Sequence, residues 1–322
     1  MEKTRKWRWG VHRWWILLFS ILTFVGVTYI AVPIQPHIQV APEELGKISL
    51  FGLPPFPLVN TMTAMLLVDI VIIAIAFAVR QSLKGGSMVP KGITSVMETL
   101  VEALYNLTKT SAGKWAKEIF PWFATIFIIV LVANLWKLVP GFETIGILHE
   151  SEHGYAIQNL FGNVHHVLSE EVAHGEAAYT VVPWFRGLST DLNFTAALAL
   201  ISVFMTQVIG VRAQKAWYFT KFFNFTTMFK KPALGFMDFI VSILELISEL
   251  AKILSFAFRL FGVMFSGTVL VALVGVMAPV FVPSLVFMFE LFMGVIQAFV
   301  FGMLTLVFMA QATQGHGEHA DH

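Results

Sequence analysis

The chain has 322 residues, of which 57% are hydrophobic and only 13% carry a charge. One water-soluble core could not enclose that much apolar surface, so the composition excludes an ordinary soluble domain and indicates a protein that crosses a membrane several times. The absence of Cys excludes disulfides, thiolate metal sites and a cysteine nucleophile. The net charge of +1 comes from basic residues scattered near the ends of apolar runs, which does not suggest a nucleic-acid partner.

Six apolar segments follow one another along the chain, each long enough to cross about 30 Å of hydrocarbon as a helix. They span residues 14–32, 58–79, 119–139, 194–211, 236–277 and 284–312. The first segment also resembles a signal peptide, but it ends in a poor cleavage site, so we expect it to be retained as a helix. Between the second and third segments, residues 97–107 have the spacing of an interfacial helix that lies along the membrane.

Basic residues are concentrated in alternate connections between these segments. They precede the first segment and follow the second and the fourth, whereas the intervening loops are rich in Glu. The positive-inside rule places the three basic regions, and therefore both termini, in the cytoplasm.

The segment 236–277 is too long for a simple crossing. As a helix it would extend about 63 Å, twice the hydrocarbon thickness, so it must tilt steeply, curve or break. Pro279 and Pro283 indicate a tight link to the final segment. We therefore predict an all-α polytopic membrane protein with about six hydrophobic helices, two of which form a long tilted hairpin.

Arg259 is the most informative residue of the long segment. Placing an Arg near the middle of a spanning helix costs about 2.5–3.5 kcal/mol on insertion scales, so such a residue normally faces a protein interface or a water path. Glu245, Glu249 and Lys252 lie on the same helical stripe as Arg259, with Ser255 nearby. A simpler interpretation of Glu249 and Lys252 is an ion pair near the cytoplasmic headgroups.

Glu290 and Gln297 are the polar exceptions in the final segment, and their spacing places them on one helical face. Gln297 could simply bond a neighbouring helix, and Glu290 could lie near the outer interface. Together with Arg259, however, they form a polar track across two helices, and ionisable groups within a membrane are a sign of an ion pathway. The residues alone therefore favour ion or proton translocation.

One pattern points to different chemistry. His149-Glu-Ser-Glu-His153 fits the zinc-protease motif H-E-x-x-H, which requires both His residues one turn apart on a helix. The motif lies in a polar loop between Gly146 and Gly154, where a stable helix is not expected. A membrane metalloprotease is kept only as an alternative, and we predict no metal site.

From about Leu53 to Ala312 the chain resembles the subunit a family of F-type ATP synthases. The most specific match is Arg259-Leu-Phe-Gly262 with Ser266-Gly267 after it and Glu245 and Lys252 before it. The second is Leu291-Phe-x-Gly-x-x-Gln297-Ala-Phe-x-Phe, with Glu290 seven residues before the Gln. Looser agreement comes from Asn134-Leu-x-x-x-x-Pro140-Gly and Thr190-Asp191-Leu-Asn193-x-Thr195.

The resemblance implies a role for each of these side chains. Arg259 would be the essential stator arginine facing the ring carboxylate, and Gln297 its partner on the adjoining helix. Glu290 would line the half-channel open to the outside, with Asp191 and Asn193 near its mouth. The cytoplasmic half-channel would be bordered by Ser255, Lys252, Glu249 and Glu245.

The resemblance also implies partners, location and domain organisation. The chain would be a non-catalytic subunit without a cofactor, in a bacterial inner membrane, facing the c-ring and contacting the peripheral-stalk b subunits and other Fo and F1 subunits. It would divide into an N-terminal part with an extra helix (1–52), a subunit a-like domain (53–312, with an insert at about 141–190) and a polar tail (313–322). Whether the ion is H⁺ or Na⁺ stays open.

Three residues depart from the family pattern, and two of them concern the outer half-channel. Val263 and Thr268 stand where the family usually has more polar residues, so the lining there depends more on Glu290. Lys137 replaces a usual Gly. A self-contained secondary transporter remains an alternative, although neither inverted repeats nor broken helices are evident.

Overall fold

The computed structural model describes residues 39–49, 54–84, 92–139, 142–161, 164–168, 178–215, 232–277 and 282–314, together with Trp14, Leu17, Leu18, Ile21, Val25 and Tyr218. Within this part the α-helices are α1 (Asn60–Lys84), α2 (Ile93–Ala112), α3 (Ala116–Trp136), α4 (Leu192–Gln214), α5 (Pro232–Met277) and α6 (Val282–Thr313). Five helical stretches are long and apolar enough to cross a membrane, with α2 and α3 forming one of them. The predicted helical membrane class is therefore confirmed.

The last five predicted segments correspond to α1, α3, α4, α5 and α6, with ends that differ by a few residues. Of the first predicted segment, residues 14–32, only five residues belong to the described part, and all five are helical and exposed. The rest of that segment and residues 315–322 of the predicted tail lie outside the described residues. Pro232 opens α5 and Pro283 falls in the first turn of α6, where a missing backbone N–H costs no helical hydrogen bond.

Gly113 separates α2 from α3. Its φ of 51° is in the left-handed region, which suits glycine, and a short 3₁₀ turn at Gly113–Trp115 follows. Helix α2 is amphipathic, because Leu104 and Thr108 are buried whereas Glu98 and Glu102 are exposed. That agrees with the predicted periodicity, while the orientation of α2 along the membrane stays a prediction.

Helices α3 and α6 make the most extensive helix–helix contact of the described part. Glycines permit the close approach: a Cβ at Gly294 would lie 3.1 Å from the Asn134 Cβ, and a Cβ at Gly302 would lie 3.0 Å from the Phe123 ring. Helix α4 packs against α3, α5 and α6, and α5 packs against α6. The resulting core includes the fully buried side chains of Ile119, Phe123, Leu260, Met264, Leu306 and Met309.

The connections between the helices contain short antiparallel strand pairs. Strand β1 (Glu44–Ile48) pairs with β2 (Phe56–Val59), directly before α1. In the insert, β3 (Gly146–Tyr155) pairs with β6 (Tyr179–Pro183), and β4 (Ile157–Phe161) pairs with β5 (Val164–Val167). The chain then passes through a 3₁₀ turn at Leu188–Thr190, which contacts α3 and α5 and leads into α4.

Candidate functional site

Arg259 lies near the midpoint of the apolar stretch Phe239–Val276, on the exposed side of α5. Its guanidinium donates a 3.4 Å hydrogen bond to the Ser255 hydroxyl one turn earlier. Within the described part of the chain, no carboxylate forms an ion pair with it. The cation is therefore directed away from its own protein at the depth where an unpartnered charge is most costly.

Gln297 holds the backbone of α5 at Arg259. Its side-chain amide donates a 2.7 Å hydrogen bond to the Arg259 carbonyl, and the Gln297 side chain is buried. Phe256 of α5 packs on the Phe301 and Phe308 rings of α6, with centroid distances of 5.2 and 5.5 Å. Gln297 thus meets Arg259 as its partner on the adjoining helix, but through the backbone, which leaves the guanidinium free to face outward.

A stripe of small and polar residues surrounds Arg259 on the exposed face of α5. Ser255, Arg259, Gly262 and Ser266 are all exposed and follow the three-and-four spacing of one helical face. A Cβ built at Gly262 would meet no other atom within 4 Å. Small residues in a membrane let a second helix approach closely, so this stripe is suited to a neighbouring helix.

Glu290 is buried on α6 and forms an ion pair with Lys137 at the C-terminal end of α3. The Lys137 ammonium also donates to the Met264 carbonyl of α5 at 3.3 Å. Gly267 leaves room for the carboxylate, because a Cβ there would lie 2.9 Å from Glu290 Oε1. The pair therefore joins three helices, and its two charged side chains are buried between them.

An amide and a hydroxyl lie beside this pair. Asn134, one turn before Lys137, donates to the Gly294 carbonyl at 2.9 Å and accepts from the Ser189 hydroxyl at 2.6 Å. We call Asn134, Lys137, Ser189 and Glu290 the Glu290 cluster. It connects α3, α6 and the 3₁₀ turn through buried polar side chains.

Asp191 and Asn193 lie at the start of α4. The Asp191 carboxylate accepts a 2.8 Å hydrogen bond from the Asn193 N–H, which is the geometry of a helix N-cap. Asp191 is buried and Asn193 is exposed. Within the described residues no hydrogen bond joins either of them to Glu290, so the contact that the structure gives Asp191 is structural.

A second acidic cluster lies toward the N-terminal end of α5. The buried Glu249 carboxylate accepts from Lys252 Nζ and from Gln207 Nε2 of α4, both at 2.9 Å. Tyr218 donates to Gln207 Oε1 at 2.5 Å. We call Gln207, Tyr218, Glu249 and Lys252 the Glu249 cluster. The predicted ion pair of Glu249 and Lys252 forms, and Glu245 is half-buried one turn before Glu249.

Sequence reasoning missed Gln207 and Tyr218, and it noted Lys137 only as a departure from the family pattern. A polar exception in an apolar segment was a usable signal for Gln207, and a charge at the end of α3 was one for Lys137. Their partners are more than 40 residues away in the sequence, at separations of 42 and 153 positions. Helical periodicity relates residues of one helix only, so it could not pair them.

The H-E-x-x-H motif lies on strand β3, where His149 pairs with Thr180 of β6. Residues four apart on a strand are separated by about 13 Å, too far for two ligands of one zinc ion. No group of three or more potential metal ligands occurs within the described ranges. As expected for this loop, the helix that a zinc protease requires does not form.

Comparisons with known proteins agree with this architecture. The family model described as ATP synthase A chain matches residues 61–310. The chain is 26% identical to ATP synthase subunit a of Moorella thermoacetica over 269 residues, covering 84% of this chain and 97% of that protein. It is 29% identical over 273 residues to the protein of Propionigenium modestum named ATP synthase subunit a, sodium ion specific, covering 84% and 79%. Against ATP synthase subunit a of Helicobacter pylori the identity is 29% over 233 residues, covering 71% and 81%.

Proposed function

Because the chain belongs to the ATP synthase A chain family, and is thus a membrane subunit of the ATP synthase complex, we propose that it is the stator that passes protons to and from the rotor. In this proposal two offset half-channels lead to opposite sides of the membrane, and Arg259 stands between them. The subunit itself neither forms nor breaks a bond of ATP. It converts ion flow into rotation of its neighbour.

The observation that carries the proposal is the exposed, unpaired guanidinium of Arg259 at mid-span. A guanidinium does not deprotonate inside a protein, whereas a buried Lys can lose its charge. Arg259 would therefore repel a proton that moved directly between the half-channels. It would also stabilise the ionised carboxylate of a passing rotor subunit, which supplies the counter-charge that the described residues of this chain do not place against it.

The two acidic clusters lie on opposite sides of Arg259 along α5. Glu249 precedes Arg259 by about 15 Å of helix axis, and Met264 and Gly267, which contact the Glu290 cluster, follow it by about 8 and 12 Å. We assign the Glu249 cluster, with Glu245 and Ser255, to the cytoplasmic half-channel. The Glu290 cluster, with Asp191 and Asn193 near the mouth, is assigned to the half-channel open to the outside.

This assignment follows the distribution of charge along the chain. With the basic connections in the cytoplasm, the C-terminal end of α4 and the N-terminal end of α5 lie on the cytoplasmic side. The insert then lies outside, and both termini lie in the cytoplasm of a bacterial cell. Each elementary charge that crosses 100 mV releases about 2.3 kcal/mol, so several ions must pass for each ATP made.

The rotor partner is proposed to be a ring of c subunits that contacts the Ser255–Ser266 stripe. Exposed small residues allow a ring helix to approach, and the only cation on this stripe meets the ring carboxylate. The b subunits of the peripheral stalk would hold the chain against the turning ring. A self-contained transporter is less consistent with the fold, because α5 and α6 continue without a break past Arg259 and Gln297.

The proposal is tested by replacing Arg259 with Ala and with Lys in the assembled complex. In inverted membrane vesicles, ATP-driven proton pumping should fall to background in Arg259→Ala, while the complex retains its ATPase activity. Arg259→Lys should also fail, since an ammonium lacks the fixed charge and the planar donor geometry. Coupled pumping by Arg259→Ala would refute the role of Arg259.

The transported ion needs a separate measurement, because one relative is named sodium ion specific. ATP-driven uptake of radioactive Na⁺ should be absent in vesicles made permeable to protons by an uncoupler. Acidification of intact vesicles should proceed equally with and without added Na⁺. Sodium uptake that persists in the presence of the uncoupler would replace H⁺ by Na⁺ in the proposal.

A further inference from the structure

The ion pair between Lys137 and Glu290 is more deeply enclosed than its position near the end of α3 would suggest. The Lys137 and Glu290 side chains retain 5% and 4% of their accessible surface. A Cβ at Gly187 would lie 2.8 Å from the Lys137 Cδ, so the lysine stem is packed against the loop that leads into the 3₁₀ turn. Both charges are therefore held in fixed positions rather than exposed to bulk water.

Stability alone does not explain such a pair. Removing two charges from water costs about as much as their attraction returns, and well-packed apolar residues often serve equally well. In the described part of the chain, the acidic residues Glu143 and Asp191 have different partners. Glu143 accepts from the Gly187 N–H at 3.0 Å, and Asp191 caps α4. Among the described residues, Glu290 is the carboxylate that forms an ion pair with the Lys137 ammonium.

The Met264 carbonyl gives Lys137 a second partner. Lys137 Nζ donates to this carbonyl at 3.3 Å, and the Thr268 hydroxyl donates to it at 3.2 Å. An ammonium released by Glu290 would therefore keep a hydrogen-bond acceptor on α5. The Met264 carbonyl therefore keeps one hydrogen bond to the ammonium while the ion pair is open.

We propose that Lys137 is a positioning residue for proton transfer, which holds the Glu290 carboxylate ready and releases it when a proton arrives. The inference rests on the proposed function, because it assigns a step to the same outer half-channel. Nothing in the family resemblance predicts it, since Lys137 stands where the family usually has Gly.

The step is a simple exchange of partners. A hydronium ion from the outer water transfers its proton to Glu290, forming a carboxyl O–H bond, and a neutral water leaves. The Lys137 ammonium keeps its three protons and remains bonded to the Met264 carbonyl. Next, the O–H bond of Glu290 breaks as the proton passes to the ionised carboxylate of the ring, and the Lys137–Glu290 pair forms again.

The test uses the complete complex reconstituted in liposomes, with ATP synthesis driven by an imposed pH difference and normalised to assembled complex. Lys137→Gln should lower the rate roughly tenfold or more, since positioned proton donors and acceptors contribute on the order of 10²–10⁴-fold. Lys137→Arg, which keeps a cation within reach of both acceptors, should recover most of the rate. The matched control is Lys117→Gln, an exposed lysine at the opposite end of α3, which should leave the rate unchanged.

A double variant shows whether Lys137 acts through Glu290. If it does, Lys137→Gln/Glu290→Gln should be within about threefold of Glu290→Gln alone, because the second change removes nothing further. If the double variant instead lost rate by the product of the two single losses, the inference would be overturned. A wild-type rate in Lys137→Gln would overturn it as well. If Lys137→Gln does not assemble, Lys137→Arg becomes the test. A rate in Lys137→Arg well below that of the wild type would then overturn the inference.

Arg259→Ala in the same liposomes separates the two proposals. Loss of synthesis in Arg259→Ala with a wild-type rate in Lys137→Gln would reject only the role of Lys137. Coupled synthesis in Arg259→Ala would reject the stator mechanism, whatever Lys137→Gln does.

Discussion

The Glu290 and Glu249 clusters both hold a buried carboxylate beside a lysine, but they are built differently. In the Glu290 cluster the two charges come from different helices, and both side chains are almost fully enclosed. In the Glu249 cluster the charges are three residues apart on α5, and the Lys252 side chain keeps 24% of its surface exposed. The ion pair of the Glu290 cluster therefore depends on the packing of different helices. The ion pair of the Glu249 cluster already forms within one turn of α5.

This difference bears on function, because the two clusters lie on opposite sides of Arg259. A partly exposed lysine can exchange a carboxylate for water at little cost. An enclosed pair must open by a defined change of partners. We therefore expect the half-channel assigned to the outside to be more sensitive to substitution than the half-channel assigned to the cytoplasm.

The largest expected effect comes from removing one charge of the enclosed pair. Glu290→Leu leaves the Lys137 ammonium buried without its counter-charge, which should destabilise the fold by about 3–5 kcal/mol. Thermal unfolding of this subunit in the purified complex measures the loss. The control is the double variant Lys137→Met/Glu290→Leu, which should regain much of the stability while remaining inactive in transport. An equally unstable double variant would show that the pair is not the cause.

Asn134→Leu should have the next largest effect on stability. It leaves the Gly294 carbonyl and the Ser189 hydroxyl without their partner in a buried place, at a cost of about 1–3 kcal/mol. The same unfolding assay applies. Thr110→Val is a suitable control, because it removes an exposed hydroxyl bonded to its own helix and should change little. Similar losses in both variants would argue against a special role for the Glu290 cluster.

Gln207→Leu tests the contacts that join the Glu249 cluster to α4. The substitution removes the bonds to Glu249 and Tyr218, each worth about 0.5–1.5 kcal/mol. It should slow ATP-driven pumping, in which protons enter from the cytoplasmic side, without preventing assembly. Gln207→Glu places a second carboxylate beside Glu249 and should slow pumping further. Wild-type pumping in both variants would remove Gln207 from the proposed path.

Lys252→Met should have the smallest effect. Glu249 keeps its bond to Gln207, and the partly exposed ion pair is worth about 0.2–1 kcal/mol. The unfolding temperature should therefore remain close to that of the wild type. A loss as large as that of Glu290→Leu would abolish the distinction between the clusters.

The length of the apolar runs was sufficient to predict the long helices, because an apolar run in a membrane has few alternative structures. Helical periodicity placed Arg259, Glu249 and Lys252 on one stripe, and the ion pair of the last two forms. The strand pairs of the insert were not predicted, since their turn and alternation signals are weak. Lys137 and Glu290 could not be paired from the sequence, because nothing local relates the end of α3 to the N-terminal third of α6.

Gln297 shows that the sequence also leaves the atoms of a contact undetermined. The motif predicted a partnership with Arg259, and the residues do meet, but the bond is to the carbonyl of Arg259. A motif names residues that lie together without specifying which atoms touch. That choice depends on the rotation of α5 about its axis, which is determined by packing of residues such as Phe256 against α6.

Cross-linking from the exposed stripe tests the central claim most directly, that the face carrying Arg259 is covered by the rotor. The chain contains no Cys, so a single Cys at Ser255 or Gly262 can carry a photoactivatable group in the assembled complex. Leu254→Cys is the matched control, exposed at the same depth but turned about 100° from Ser255. The account predicts cross-links to the ring subunit from Ser255→Cys and Gly262→Cys at several times the yield from Leu254→Cys. Cross-links from the stripe to lipid alone, with none to a ring subunit, would contradict it.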